Sequence, residues 1–415
     1  MTKLLEFLSL GALAAVGCTS LTSAQTTNPS LPMQTANQAD VKTAVTGNNQ
    51  FALDLFKHLQ EQDGNLFYSP HSISTALAMT YGGAKGKTAE EMAKAMHFTL
   101  AQEKLHAALA ALQANLDGDP KKQGYRFKTA NALWGQKNYG FLPDFLSLTK
   151  SNYGAGLSEL DFVGDTEGAR KAINAWVAQQ TQDKIKELLQ DGVLDINTRL
   201  VLTNAIYFKG DWDLKFQKDW TADRPFHLGA GNKVNVPTMH KTANHGYYAN
   251  DNVEMLDLPY AGKKLSMTIL LPKSVNGLAA LEKSLTAESL AKLIDNLQEQ
   301  EVNVALPKFK MTTAFSLAET LKKLGMKQAF DQIEADFSGM TSSKDLYISA
   351  VVHKAFVEVN EEGTEAAAST AVVMGQRAIS LVHTPTFRAD HPFLFVIRDN
   401  ETGAILFMGR IADPR

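Results

Sequence analysis

Along the first half of the chain, apolar positions recur at helical spacing. Phe51, Leu55, Phe56 and Leu59 fall on one face of residues 47–61. Ser69 followed by Pro70 has the form of an N-cap with proline in the first turn, and predicts a helix running through Tyr81. Thr88 and Glu91 are spaced as a capping box ahead of another helix. Residues 101–116 are rich in Ala and Leu at amphipathic spacing, and 141–151 and 167–189 also read as helical.

The pattern then changes. Residues 199–208 form a near-continuous apolar run of strand formers, as in a strand buried on both faces. Leu265 to Leu271 resembles it and stops at Pro272. Residues 350–360 alternate, with Ala355, Val357 and Val359 set against Lys354, Phe356 and Glu358. Phe393 to Ile397 and Ala404 to Met408 predict a hairpin about the turn Asp399-Asn400-Glu401-Thr402-Gly403. Helices early and strands late, without βαβ alternation, predict an α+β fold. From about residue 47 onward there is neither a second linker nor a repeat, so 47–415 reads as one domain.

Composition narrows the chemistry. The 415 residues are 44% hydrophobic and 20% charged, which is ordinary for a folded globular chain. A net charge of −3 gives no general attraction to nucleic acid, and the paired lysines at 121–122, 263–264 and 322–323 are not interleaved with aromatic residues. A single cysteine excludes an intramolecular disulfide and any Cys-based metal cluster, and no metal site or cofactor is expected. Gly82 to Thr88 resembles a phosphate-binding loop, but Tyr81 stands where its first glycine is required. Ser147 and Lys150 match the S-x-x-K of penicillin-recognising acyl hydrolases, although the remaining elements of that class are damaged and out of order.

The N-terminus reads as an address. Lys3 precedes a short apolar run from Phe7 to Val16, too short to span a bilayer and suited to a secretory signal. Two cleavage sites compete. Thr22-Ser23-Ala24 would end a signal peptide of residues 1–24. Ala15-Val16-Gly17-Cys18 resembles a bacterial lipobox, which would end the signal at residue 17 and make a lipidated Cys18 the mature N-terminus. Residues 25–46 are polar with two prolines and read as a flexible linker, as a membrane-anchored domain would need. The expectation is an exported bacterial protein, either a lipoprotein of the outer membrane or cell surface or a periplasmic or secreted chain.

Residues 361–386 lie between two predicted strands and form a segment of the length that is usually functional. The segment opens Glu361-Glu362-Gly363-Thr364-Glu365-Ala366-Ala367-Ala368-Ser369-Thr370. No proline interrupts it before Pro385. Thr364, Ala366, Ala368, Thr370, Val372 and Met374 would face one way in an extended chain, and all are small, β-branched or apolar. Such a loop can become a buried strand. A Lys or Asp at one of those positions would bury a charge at a cost of several kcal/mol.

These residues, together with others in the same order, resemble the serpin family. Asn65-Leu66-Phe67-Tyr68-Ser69-Pro70-His71-Ser72-Ile73, Leu202 to Trp212, Leu306-Pro307-Lys308-Phe309, Val359 to Ala368, Phe387 to Phe393 and Gly409-Arg410-Ile411 carry the likeness, which spans Asn49 to Pro414. It implies a single domain of three β-sheets surrounded by eight or nine helices, with residues 361–386 as an exposed reactive-centre loop. It implies a serine protease inhibitor, not an enzyme, that is cleaved as a substrate, inserts its loop into the central sheet and traps the protease as a covalent acyl complex.

The family count of fourteen residues past the hinge glycine reaches Arg377, with Ala378 following, so the expected partner is a trypsin-like protease. A shorter spacing before Pro392 would place the bond nearer Leu381 and point to a chymotrypsin-like target. Ser69, Ser72, Asn204 and His353 match a polar cluster under the central strands, and Trp212 an aromatic near the point of first insertion. The resemblance also allows a non-inhibitory member acting as a binding or folding-helper protein. The protein is expected to be a monomer.

Overall fold

The computed structural model describes residues 36–117, 124–154, 156–229, 231–343, 345–364 and 384–415. Cys18, Leu381, the reactive bond Arg377–Ala378 and the hinge positions Glu365, Ala366, Ala367, Ala368, Ser369 and Thr370 lie outside the described residues.

Nine α-helices are described: α1 (Gln38–Leu59), α2 (Pro70–Tyr81), α3 (Gly86–Ala95), α4 (Gln102–Leu116), α5 (Pro143–Tyr153), α6 (Thr166–Gln180), α7 (Leu278–Ser284), α8 (Ala287–Asp295) and α9 (Ala318–Lys323). The strands are β1 (Leu66–Tyr68), β2 (Tyr125–Gln136), β3 (Leu157–Leu160), β4 (Leu200–Asp211), β5 (Ala222–Gly229), β6 (Asn232–Ala249), β7 (Val253–Pro259), β8 (Leu265–Pro272), β9 (Gln298–Pro307), β10 (Phe309–Ser316), β11 (Ile348–Val359), β12 (Gly363–Thr364), β13 (Thr386–Arg388), β14 (Phe393–Asp399) and β15 (Ile405–Ile411).

The strands form three sheets. The central sheet runs β10-β11-β12-β4-β2-β3. A second runs β5-β6-β9-β13 and a third β6-β7-β8-β14-β15-β1. These two share the 18-residue β6, whose first part pairs with β5 and whose end pairs with β7. The central sheet is covered on both faces. Ile206, Phe208, Ala355, Val357 and Val359 pack with Met267, Ile269, Phe395, Ile397 and Phe407 of the third sheet. On the opposite face Val201, Ala205, Tyr207, Ala350 and Val352 pack under Ile173 and Val177 of α6. This double burial is why the run at 199–208 shows no polar alternation.

The hairpin, the two apolar strands and the helix opened by Ser69-Pro70 match the sequence reading. The Ser69 hydroxyl accepts the Ser72 N–H at 3.1 Å, and every residue of α2 is buried. Three expectations are corrected. First, α1 begins at Gln38, inside the stretch 25–46 read as a linker. Asn37 caps it through Asp40, and Ala44 and Val45 are buried. Its first turn is at most half-buried, with Gln38 and Ala39 exposed, so it carries no apolar period. Second, Thr88 and Glu91 do not cap their own helix: α3 starts at Gly86 with no side-chain cap. The Thr88 hydroxyl accepts the Asp336 N–H at 2.9 Å, and Glu91 accepts the N–H groups of Lys327 and Gln328, each at 2.8 Å. Third, α6 stops at Gln180 rather than continuing to 189, because Gln182 and Asp183 take left-handed backbone conformations that end a helix.

Candidate functional site: a seam in the central sheet

β4 and β11 are parallel neighbours, paired from Leu200 with Ile348 to Tyr207 with Phe356. Beyond that point they part, and β12 lies between them. The chain leaves β11 at Val359, turns through 360–362 and comes back antiparallel to both neighbours. Thr364 pairs with Val359 on one side and with Gly210 on the other, and Gly363 pairs with Asp211. The first residues of the hinge, through Thr364, are thus already docked at the mouth of the seam.

Backbone and aromatic contacts fix that turn. The backbone N–H groups of Trp212 and Phe216 donate to the carbonyls of Glu362 and Glu361, both at 2.9 Å, and the Trp212 indole N–H donates to Asn360 O at 3.0 Å. The indole stacks on Tyr260, with centroids 4.7 Å apart and planes 13° from parallel. The Tyr260 hydroxyl lies 2.8 Å from Thr364 Oγ1, so Thr364 faces inward and is fully buried. Gly363 permits a close approach: a Cβ there would lie 2.0 Å from Gly210 O and 2.7 Å from Asp211 Cα.

Ion pairs hold the outside of the turn. Lys308 Nζ lies 3.0 Å from the Glu361 carboxylate, which also accepts the Thr221 hydroxyl at 2.8 Å. Burial alone would raise Glu361, but its own N–H, Thr221 and Lys308 outweigh that and leave the carboxyl below its ordinary value. The hydrogen bond from Lys215 at 2.6 Å, seconded by Lys218 at 3.1 Å, does the same for Glu362.

Deeper in the seam, one buried network joins five residues. His353 and Asn204 are partners across β11 and β4, and Asn204 and Asn131 across β4 and β2. His353 Nδ1 donates to Asn204 Oδ1, while its Nε2 accepts the Ser69 N–H at 3.2 Å. Asn204 Nδ2 donates to Ser72 Oγ at 2.5 Å and to Asn131 Oδ1. Ser72 Oγ donates to Asn131 Oδ1 at 3.0 Å, and Ser69 Oγ to Leu406 O at 2.7 Å. These partners fix His353 as the neutral Nδ1–H tautomer. Complete burial pushes its pKa down to about 3.

The structure therefore brings Ser69, Ser72, Asn204 and His353 together. It places Trp212 apart from them, at the mouth with Glu361, Glu362, Gly363 and Thr364. Asn131, Tyr260 and Lys308 complete the two clusters and were missed. The signal for Asn131 was an amide inside the apolar run Ala130 to Trp134, on a strand the sequence pattern did not reveal. Ser147 and Lys150, the S-x-x-K pair, ride on α5.

Comparisons with known proteins agree with this geometry. The family described as serpin (serine protease inhibitor) matches residues 46–414. Human leukocyte elastase inhibitor is 45% identical over 379 residues, covering 89% of this chain and 99% of the relative. Serpin48 of the insect Tenebrio molitor superposes with a TM-score of 0.81 at 35% identity, covering 91% of this chain and 99% of that one. Uncleaved ovalbumin does so with a TM-score of 0.81 at 32% identity, covering 90% and 100%. The chain belongs to the serpin family. It is a protease inhibitor rather than a catalytic enzyme, which sets the acyl-hydrolase alternative aside.

Two outcomes follow from the site. The folded state holds His353 neutral far below the ordinary histidine value, so between pH 6.5 and about 3 the unfolded chain binds a proton that the native chain does not. Stability from this ring is complete above that window and falls as pH drops through it. Between pH 7 and pH 5 the wild-type chain should lose roughly 2 kcal/mol more unfolding free energy than His353→Gln. Urea unfolding at the two pH values measures this, and equal losses would refute it. Separately, Gly363→Val should expel the hinge. Amide exchange at Trp212 and Phe216 should then rise about ten-fold or more, and unchanged exchange would show that the close approach at Gly210 is not what the glycine serves.

Proposed function

We propose that this chain inhibits a trypsin-like serine protease by suicide trapping, as a monomer and without a cofactor. The observation that supports this most is β12, two residues of the hinge already paired antiparallel between β4 and β11. The protease serine attacks the carbonyl of Arg377, the amine of Ala378 leaves, and an ester joins the two proteins. The freed loop then zips down the seam. Continuing the register of Thr364 one residue at a time puts Ala366 between Val357 and Phe208, Ala368 between Ala355 and Ile206, and Thr370 between His353 and Asn204. All three fall on the inward side that Thr364 occupies. Thr370 would break the bond between His353 and Asn204 and offer each a hydroxyl in exchange. The protease is carried with the loop, and its distortion stops hydrolysis of the ester.

Arg377 rests on its distance from Gly363, and a guanidinium suits an acidic specificity pocket. The second reading is a protease with an apolar pocket, cutting nearer Leu381. The name of the 45% identical relative, leukocyte elastase inhibitor, favours it. The non-inhibitory alternative is disfavoured by the small, uncharged side chains at alternate loop positions. We further propose export, through a signal of residues 1–24 or through lipidation of Cys18. The support is the short apolar run and the position of the one cysteine. A bacterial source rests on the same lipobox-like sequence, and the relatives named above are animal proteins.

Trypsin mixed with the purified chain should give an SDS-stable band near the summed mass, and mass spectrometry should find a released peptide beginning at Ala378. Thr370→Arg should leave cleavage intact and abolish the band. Cleavage of the wild-type chain without any stable band would overturn the inhibitory reading. A stable band only with chymotrypsin or elastase would keep the mechanism and reject Arg377.

A further inference from the structure

The second sheet lines an open-sided cavity of about 390 Å³ to which all four strands contribute. Arg224 and Phe226 come from β5, Thr238 and His240 from β6, Ala305 from β9 and Arg388 from β13. The register sets the basic residues together. His240 and Arg388 both pair with Ala305, one from each flank, so only a methyl group stands between them in that row. Arg224 pairs with Val236, and alternation along β6 puts Val236, Thr238 and His240 on one side of the sheet. The His227 N–H donates to Asp390 O at 2.7 Å, tying β5 to the chain just beyond β13 and closing the rim.

The charges lining this cavity do not balance. Among the described residues neither Arg224 nor Arg388 has an ion pair or a side-chain hydrogen bond, and the Nε2 of His240 is buried without a partner. Asp390 is the one acid on the lining. Its Oδ1 accepts from His391 Nδ1 at 2.9 Å, and His391 Nε2 donates to Pro272 O at 2.6 Å. With both ring nitrogens donating, His391 is an imidazolium that neutralises Asp390. Two solvent-exposed guanidinium groups, Arg388 with Asp390 nearby, and one buried ring nitrogen are left at the cavity.

We propose that this cavity binds a phosphate or sulfate ester, with the oxyanion held by Arg224, Arg388 and His240. Guanidinium forks match tetrahedral oxyanions, and the volume leaves room for an organic body against Phe226, Val236 and Ala305. Burial and the two nearby guanidinium groups keep His240 below its ordinary pKa, so it meets the anion as a neutral N–H donor. The ligand would join β13, the first strand after the reactive loop, to β5 and β6. It would therefore stabilise the native chain by RT ln(1 + [L]/Kd).

The test is calorimetric titration of the full chain with adenosine monophosphate and with a sulfated disaccharide, at constant ionic strength. Saturable one-to-one binding is expected with at least one of them, and the tighter of the two identifies the ester as phosphate or sulfate. Arg224→Gln and Arg388→Gln should each weaken it about ten-fold or more. Lys292→Gln, on α8, should leave it unchanged. In the wild-type chain the His240 ring signals should move along the same saturation curve, a readout that needs no variant to fold. No saturable binding of either probe up to about 10 mM would overturn the proposal. So would binding that leaves the His240 signals still, or that survives in the Arg224→Gln/Arg388→Gln double variant.

Discussion

Two parallel strands lie side by side, each with an antiparallel neighbour on its outer flank: β11 beside β10, and β4 beside β2. Parallel pairing is slightly weaker per residue than antiparallel pairing. A strand running the other way between β4 and β11 would replace one such ladder with two antiparallel ones. β12 shows that the connection after β11 has the length and direction to begin that strand. The central sheet is packed on both faces, yet the two core clusters meet it through side chains above and below, not through covalent ties across β4 and β11.

Parting the seam means breaking the polar network inside it. An unsatisfied buried amide or imidazole costs about 1–3 kcal/mol. In the proposed mechanism the network of His353, Asn204, Asn131, Ser72 and Ser69 would therefore be a latch as well as a scaffold. Its hydrogen bonds are specific enough to hold β11 against β4 while the seam is shut. A threonine arriving between His353 and Asn204 has a donor and an acceptor to give back, which an alanine there would not. The latch thus opposes spontaneous opening more than it opposes an incoming strand.

Of the central strands, β4 was legible because it is buried on both faces, as the run at 199–208 states directly, and β11 was legible from its alternation. The helix at Ser69-Pro70 was legible because its cap is local. What escaped was non-local. Thr88 and Glu91 have capping-box spacing, but they bind backbone groups of 327–328 and 336, more than two hundred residues away in the chain. The first turns of α1 carry no apolar stripe, so the helix looked like a tether until its later turns met the core. In the site, Ser69, Ser72, Asn204 and His353 were found through family resemblance, not periodicity. Asn131 sits on β2, whose mixture of lysine, threonine and alanine hides the strand pattern, and Lys308 became visible only when β12 brought Glu361 beside it.

Charge marks where the proposed insertion would begin. Glu361 is nearly buried and tied to Lys308 and Thr221, and Glu362 to Lys215 and Lys218, so moving the turn at 360–362 would break all of these contacts. In the proposed insertion it would serve as the pivot. Beyond it, the one acid of the hinge is Glu365. In the proposed inserted state the register carries it to the outward side, between Glu358 of β11 and Lys209 of β4. Glu358 already has Lys310 as a cross-strand partner at 3.0 Å, so Lys209 is the base left for the newcomer. The row would read base, acid, acid, base across four strands. Each acid keeps one oppositely charged neighbour, and the inward positions stay free of charge.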